Sequence, residues 1–148
     1  MRFFILVILL LSSSYALSPF SLEGFKEANV KLFDKNKVLT KQMKKKIKTD
    51  LFTQLKSSGI KTKSDNFSNL IVKIEAVKLD ENYVVNINFF IVEDVIPSRD
   101  KELESLGITY KKGDFFVAES SDLQQEIYDS VIDFILFDFL EQHKEENS

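Results

Sequence analysis

The chain of 148 residues contains no cysteine, no tryptophan and a single histidine, and it has only four glycines and two prolines. The lack of cysteine excludes disulfides, zinc fingers, iron–sulfur clusters, thiol nucleophiles and a lipid-modified N-terminal cysteine. The scarcity of glycine and proline, with 44% hydrophobic and 29% charged residues, excludes collagen-like chains, low-complexity chains and wholesale disorder. The length suits one globular domain, with or without a targeting segment.

The N-terminus has the layout of a secretory signal peptide. Arg2 precedes an unbroken apolar run at residues 3–11, and Ser14 and Ala16 are the small residues that a cleavage site requires. A helix of this run would span only about 14 Å, which is too short to cross a bilayer. We therefore expect residues 1–16 to be a signal peptide that is cleaved after Ala16 or, as a second choice, after Ser18.

Export without disulfides favours a bacterial periplasm, because small domains in oxidising eukaryotic compartments usually carry disulfides. The predicted location is therefore periplasmic or secreted. No internal repeat and no glycine- or proline-rich linker divides the rest of the chain. Residues 20–143 are predicted to form a single globular α+β domain, and the polar residues 144–148 a disordered tail.

Two segments have helical periodicity. Between residues 38 and 57 an apolar residue recurs every fourth position, and Gly59 can take the left-handed conformation that ends a helix. Between residues 122 and 142 apolar residues cover more than half of the helix circumference, with Ser121 and Gln124 placed as a reciprocal cap. Such a wide apolar arc predicts a helix that is buried on two sides, either as the central core helix or against another subunit or ligand.

Residues 25–33 fit two patterns. Val30 and Leu32 alternate with polar residues, which is typical of a strand, whereas Phe25, Ala28 and Leu32 have helical spacing. A helix is the preferred interpretation, because Ser21 can cap it.

Alternating apolar residues predict a central β-hairpin from residues 70–79 and 83–95, joined by a turn at residues 80–82. One face of the second strand carries Val84, Asn86, Asn88, Phe90 and Val92, which is not the charged face of a solvated sheet and suggests a covering helix or chain. We expect a short helix within residues 99–106, and two short strands at 108–110 and 115–118 around a turn at 111–114. The predicted fold is therefore α+β, an antiparallel sheet of about four strands packed by helices near 38–57 and 122–142.

Charge is segregated along the chain. Residues 17–65 contain 12 lysines and 5 acidic residues, whereas residues 66–148 contain 7 basic and 18 acidic residues. Within the basic half, one face of the 38–57 helix collects four lysines, which could contact an anionic membrane surface or an acidic protein, or could simply be solvated. Nucleic acid is not expected, because the helix has no arginine and no interleaved aromatic residues. The four lysines are Lys41, Lys44, Lys45 and Lys48.

The chain has few groups suited to catalysis. His143, the only histidine, lies near the end of the last predicted helix, where it can complement the helix dipole but has no evident orienting partner. Asp129 and Asp133 fall on the polar face of that helix, whereas Asp138 falls at the rim of its apolar arc, where it would be solvated or paired with a lysine. The turn Asp80-Glu81-Asn82 is too short for a calcium loop. We expect no enzyme, no cofactor and no metal.

The sequence is compatible with three functions. The first is a non-enzymatic binding or assembly protein of the cell envelope. The second is a carrier of an apolar ligand or lipid held between the sheet and the C-terminal helix, and an enclosed apolar cavity would favour it. The third is a hydrolase that uses carboxylates. The candidate apolar contacts for a partner or ligand are Phe90, Phe134, Phe137 and Phe139.

Overall fold

The computed structural model describes residues 21–148, so the predicted signal peptide and both candidate cleavage positions next to it lie outside the described residues. The chain forms a four-stranded sheet and two long helical regions. The strands are β1 (Asn29–Asp34), β2 (Ser68–Leu79), β3 (Asn82–Val95) and β4 (Ser105–Glu119); the helices are α1 (Lys41–Ser57), α2 (Leu123–Asp129), a π-helical segment (Ser130–Leu136) and α3 (Phe137–Glu146).

The sheet has the strand order β1-β2-β3-β4, and the fold is α+β. β2, β3 and β4 pair antiparallel, whereas β1 pairs parallel with β2 through the α1 crossover, so the sheet is mixed. The central hairpin is confirmed: Leu79 pairs with Asn82 across a tight turn in which Asp80 has a φ of 54°. The α1 prediction is also confirmed, with Thr40 as its cap and Gly59 at a φ of 80° just past its end.

The helix preferred for residues 25–33 is wrong, because residues 29–34 form β1. Val30 and Leu32 pair with the core strand β2, and this long-range backbone pairing outweighs the local helical spacing. Ser21 does not cap a helix; its hydroxyl donates to a carboxylate oxygen of Glu146 (3.0 Å) and accepts from the N–H of Glu23 (3.1 Å).

The predicted helix within residues 99–106 is also wrong, and so is the turn at 111–114 that was expected to divide two short strands. The helix is absent, and residues 105–119 form one continuous strand. The predicted turn at 111–114 stays extended because its polar side chains find partners on the helix side of the sheet: Lys112 forms an ion pair with Asp138, and Asp114 accepts a hydrogen bond from Ser130 (2.7 Å).

The C-terminal helix begins at Leu123 without the predicted Ser121 cap. Gln124 instead links two helix starts, since its Oε1 accepts from the N–H of Thr40 (3.0 Å) and its Nε2 donates to the carbonyl of Val38 (2.6 Å). Residues 144–146, which the sequence placed in a disordered tail, continue α3. They are held because Glu146 accepts a hydrogen bond from the N–H of Leu22, and Asn147 accepts one from Gly24 (2.8 Å).

The core lies between one face of the sheet and the helices. Phe139 fills its centre, with ring centroids 5.1 Å from Phe89, 5.2 Å from Tyr110 and 5.9 Å from Phe25. The apolar stripe of α1 (Ile47, Leu51 and Leu55) is fully buried against the same cluster. Both helical regions therefore lie on one side of the sheet, which leaves the other side without a covering element among residues 21–148.

Candidate interaction surface

The uncovered side of the sheet, called here the open face, follows from the strand register. Residues that pair across neighbouring strands point to the same side of a sheet, so each pairing row can be assigned to one face. One open-face row runs Val77, Val84 and Val117, and another runs Lys31, Ile71, Phe90 and Lys111 across all four strands. Their neighbours two residues away along each strand share this face, except at the bulge of β4, where Thr109 has no partner on β3 and Ile108 pairs with Val92 on the open face.

Large apolar side chains are exposed on the open face. Phe115 is 69% exposed and Val77 is 63% exposed, although both belong to regular strands. Apart from Phe33 on β1, which lies beside Lys73, they form two groups together with the half-buried Val84 and Val92, one at the β2–β3 turn end of the sheet and one at the opposite end. The first group is Val77, Leu79, Val84, Phe115 and Val117; the second is Val92, Leu106 and Ile108.

A polar belt separates the two apolar groups. In it, Asn88 Nδ2 donates to Asn86 Oδ1 (3.2 Å), and Glu75 lies between Lys35 (2.6 Å) and Lys73 (3.0 Å). Hydrogen bonds from Lys35 and then from Lys73 lower the pKa of Glu75 below its ordinary value. The carboxylate of Glu75 therefore stays ionised between two lysines, and the belt carries one net positive charge.

Two cations remain uncompensated at the sides of the open face. Lys31 on β1 and Lys111 on β4 form no ion pair with the described residues, and both are exposed. They stand at the two ends of one pairing row, three strand spacings or about 14 Å apart. The open face is thus apolar at both ends and basic at its flanks.

The four predicted lysines of α1 lie on the helix side of the protein, away from the open face. Lys41, Lys45 and Lys48 are exposed. Lys44 is different: its Nζ lies 3.1 Å from Asp34, a carboxylate with no exposed surface. Asp34 also accepts from the N–H groups of Val38 (3.0 Å) and Leu39 (3.1 Å), so Lys44 helps to fix the start of α1.

The structure does not bring the four predicted phenylalanines together. Phe90 is half-buried on the open face, whereas Phe134 and Phe137 are exposed on the opposite, helix side. Phe139 has no exposed surface, so it is available to neither a partner nor a surface ligand. The ammonium of Lys112 lies 4.9 Å from the ring centroid of Phe134, which places Phe134 beside β4.

The candidate catalytic groups do not meet in one buried site: Asp129 and Asp133 line an open groove on the helix side, whereas Asp138 and His143 lie elsewhere. His143 donates from Nε2 to the carbonyl of Phe25 (2.7 Å) and packs against the Phe139 ring, so it joins the N-terminal residues to α3. Asp129 and Asp133 are exposed, and Asp138 pairs with Lys112 at the rim of the core. No cluster of potential metal ligands occurs within residues 21–148.

The space between the sheet and the C-terminal helix is filled by aromatic side chains, chiefly Phe89, Tyr110 and Phe139. The depressions found on the described part of the protein are open surface grooves of about 390 to 550 Å³. The enclosed apolar cavity that would favour a ligand carrier is not among them.

The sequence indicates one strand of the open face, β3, but not the neighbouring β4 as a continuous strand. The uncharged row of β3 (Val84 to Val92) signalled an unusual outer surface, but Phe115, Val117 and Ile108 were assigned to short strands on either side of a turn. The predicted strand 115–118 already put Phe115 and Val117 on one face, but the pairing of a continuous β4 with β3, which places them beside Val84 and Asn86, was not predicted. The charged residues and the glycine at 111–114 are typical of a turn, so they led to the prediction of two short strands in place of one long strand.

Comparisons with known proteins do not assign a family. No protein-family profile matches the chain, and no curated protein is significantly similar to it. Among solved structures, a minor lipoprotein from Acinetobacter baumannii aligns with 82% of this chain and 91% of its own length, at 13% identity and a TM-score of 0.30. This likeness is too weak to carry an argument. Within residues 21–148, no helix combines the length and apolar character that crossing a bilayer requires.

Proposed function

We propose that this chain is an exported, non-enzymatic binding or assembly protein that docks a protein partner on the open face of its sheet. The observation that carries the proposal is the exposed apolar surface that spans β2, β3 and β4 at the β2–β3 turn end. Single exposed apolar residues are ordinary, but a contiguous group rimmed by polar residues is typical of an interaction site.

The polar belt favours a protein over a hydrocarbon surface. Against lipid tails the amides of Asn86 and Asn88 and the Lys35–Glu75–Lys73 cluster would lose water without gaining partners. A protein interface supplies hydrogen bonds at such positions, between apolar patches that exclude water. The mixed pattern of the open face is therefore better matched by another polypeptide.

Charge argues against a face-to-face pair of identical chains. Lys31 and Lys111 occupy the same pairing row, so stacking two open faces brings lysines of one copy near lysines of the other. Like charges that face each other across an interface weaken association. A different protein, with carboxylates placed over this row, fits the surface better.

The proposal that the chain is exported is based on the predicted signal peptide. The proposal of a bacterial periplasm is based on the absence of cysteine. Three observations support a binding role over catalysis: Asp129 and Asp133 are exposed, Asp138 is paired with Lys112, and His143 is bonded to the backbone. No observation among the described residues favours the hydrolase or the carrier over the binding protein.

A site-dependent co-purification experiment tests the proposal. The affinity-tagged full chain is isolated from the exported fraction of its own cells, and bound proteins are quantified by mass spectrometry. The open-face variant Val77→Glu/Val117→Glu should lose at least about nine-tenths of the partner, because it places two charges in the apolar group. The control Phe137→Glu, with a side chain of similar exposure on the helix side, should retain it.

Circular dichroism of each variant checks that the fold is intact. A partner that binds the wild type and both variants equally would contradict docking on the open face. Loss of the partner from the Phe137 control alone would move the site to the helix side and would equally overturn the proposal.

A further inference from the structure

The outer edge of β4 is a second exposed feature of the sheet. β4 is a strand of 15 residues, and no other strand within residues 21–148 pairs with its outer side. The N–H of Phe115 points outward, since it donates to Oδ1 of the adjacent Asp114 (2.9 Å) rather than to β3. Because alternate residues of an antiparallel strand direct their backbone groups to the same side, Lys111, Gly113 and Val117 also face outward. Such an edge is a template for an additional strand.

The two sides of this edge differ in chemistry. On the open-face side the exposed Phe115 and Val117 border the edge. On the helix side a groove of about 390 Å³ separates β4 from the C-terminal helix, and its ionisable lining is entirely acidic. The groove is lined chiefly by Asp114, Phe116, Glu126, Asp129, Asp133 and Phe134.

The acidic groove decides which partner fits the edge. If two copies of this chain joined their β4 edges in an antiparallel pair, both sets of helices would lie on the same side of the combined sheet. The carboxylates of one groove would then face those of the other, which is unfavourable. A strand that carries basic side chains toward the groove has the complementary charge.

We propose that the outer edge of β4 binds an extended, basic segment of a partner protein as a fifth strand. Alternate side chains of that segment point in opposite directions, so lysines or arginines enter the acidic groove while apolar residues lie beside Phe115 and Val117. In the free protein Asp114 accepts the hydrogen bond of the outward N–H of Phe115. When the strand binds, this N–H donates to a carbonyl of the partner, and Asp114 pairs with a lysine or arginine of the partner. This inference rests on the proposed function, because it requires a protein partner, and it narrows that partner to one with an extended basic segment.

The first arm of the test measures charge selectivity with synthetic peptides. Fluorescently labelled peptides of about eight residues, long enough for an ordinary strand, alternate lysine with valine or glutamate with valine. Anisotropy titrations with the full chain should give a dissociation constant at least about tenfold lower for the lysine peptide. Asp129→Asn/Asp133→Asn should remove most of this preference. Equal affinities for the two peptides would overturn the inference.

The second arm tests whether backbone pairing at β4 is used. Lys111→Pro removes an outward N–H without removing a hydrogen bond to β3, and Lys111→Ala is the matched control for the lost charge. The proline variant should weaken the lysine peptide by at least about tenfold relative to the alanine variant. Hydrogen exchange of the wild type should show new protection at Lys111, Gly113 and Phe115. Protection elsewhere, with no effect of the proline, would contradict strand addition.

These outcomes separate the two proposals. If the peptides fail while the open-face variant still loses its partner, strand addition is wrong and docking on the open face stands. If the peptides bind as expected while the single variant Val77→Glu, which lies two strands away from the β4 edge, keeps its partner, docking on the open face is wrong and the β4 edge is the binding site.

Discussion

The two faces of the sheet carry similar side chains but have different surroundings. On the covered face of β3, Val85, Ile87 and Phe89 have no exposed surface, whereas Phe115 and Val117 on the open face of β4 are more than half exposed. Burial of apolar area stabilises the fold at roughly 25 cal/mol per Å², so the covered face contributes most of this stabilisation and the open face little. We therefore expect the exposed apolar residues of the open face to contribute little to folding and to be available for binding.

The largest difference is expected between two phenylalanines. Phe89→Ala removes a fully buried ring at the centre of the aromatic cluster and should lower the free energy of unfolding by about 3 to 5 kcal/mol. Phe115→Ala removes an exposed ring and should change it by less than about 0.5 kcal/mol. Urea denaturation followed by circular dichroism measures both. A loss of several kcal/mol for Phe115→Ala would mean that something covers the open face in solution.

A smaller effect should appear at alkaline pH, through a tyrosine of the covered face. Burial, and then the nearby charges of Asp138 and Glu146, raise the pKa of Tyr110 to about 12. The unfolded chain ionises this group near pH 10, so its contribution to stability is complete below pH 10 and is lost as the pH rises through 12. The free energy of unfolding should therefore fall between pH 10 and pH 12, and Tyr110→Phe should make that fall shallower.

The pKa of Tyr128 is raised for a different reason from that of Tyr110. Its hydroxyl donates to Asp50 (2.8 Å), and this hydrogen bond is the main reason that the pKa of Tyr128 is also raised to about 12. An ultraviolet titration of phenolate formation should show two late-ionising tyrosines, and Asp50→Asn should return only Tyr128 toward pH 10. If Tyr110 moves as well in that variant, its shift does not arise from burial in the core.

The smallest effect is expected on the helix side, at the exposed lysines of α1. Lys41→Glu/Lys45→Glu should change the free energy of unfolding by less than about 0.5 kcal/mol and leave partner binding on the open face unchanged. Lys44 is kept because it pairs with the buried Asp34. Binding to vesicles of anionic phospholipid is measured at low and high salt. Salt-sensitive binding that this double substitution abolishes would instead support the anionic-surface prediction for the lysine face.

The sequence predicts well the parts of the fold that depend on local periodicity. The apolar stripe of α1 and the alternation in β2 and β3 each specify one element, because the same residues that set the local pattern also form the core. Elements whose stability comes from distant partners are predicted poorly. β1 depends on parallel pairing with β2, and the middle of β4 depends on Asp138 and Ser130 of the C-terminal helix.

The same reason limits prediction of the candidate site. The composition of β3 indicated an outer face that is not fully polar, but the surface is created by register across three strands, which no local pattern contains. The role of Lys44 could not be predicted for the same reason. Lys41 and Lys44 lie on the same face of α1, and only the contact of Lys44 with Asp34, a residue of another element, distinguishes the two. Local patterns therefore predicted the helices and the hairpin, but they did not predict the contacts between elements.

The hydrogen bonds that link residues 21–24 with the side chains of Glu146 and Asn147 have a geometric consequence. They bring the two ends of the described chain together beside α3, on the side of the sheet that carries the helices. A fusion or a surface linkage attached at residue 21 or at residue 148 would therefore leave from a common corner, with the open face directed toward solution. A short peptide linker between those ends would close the backbone at little entropic cost. A circular permutant with new ends in a surface loop should therefore keep the same fold.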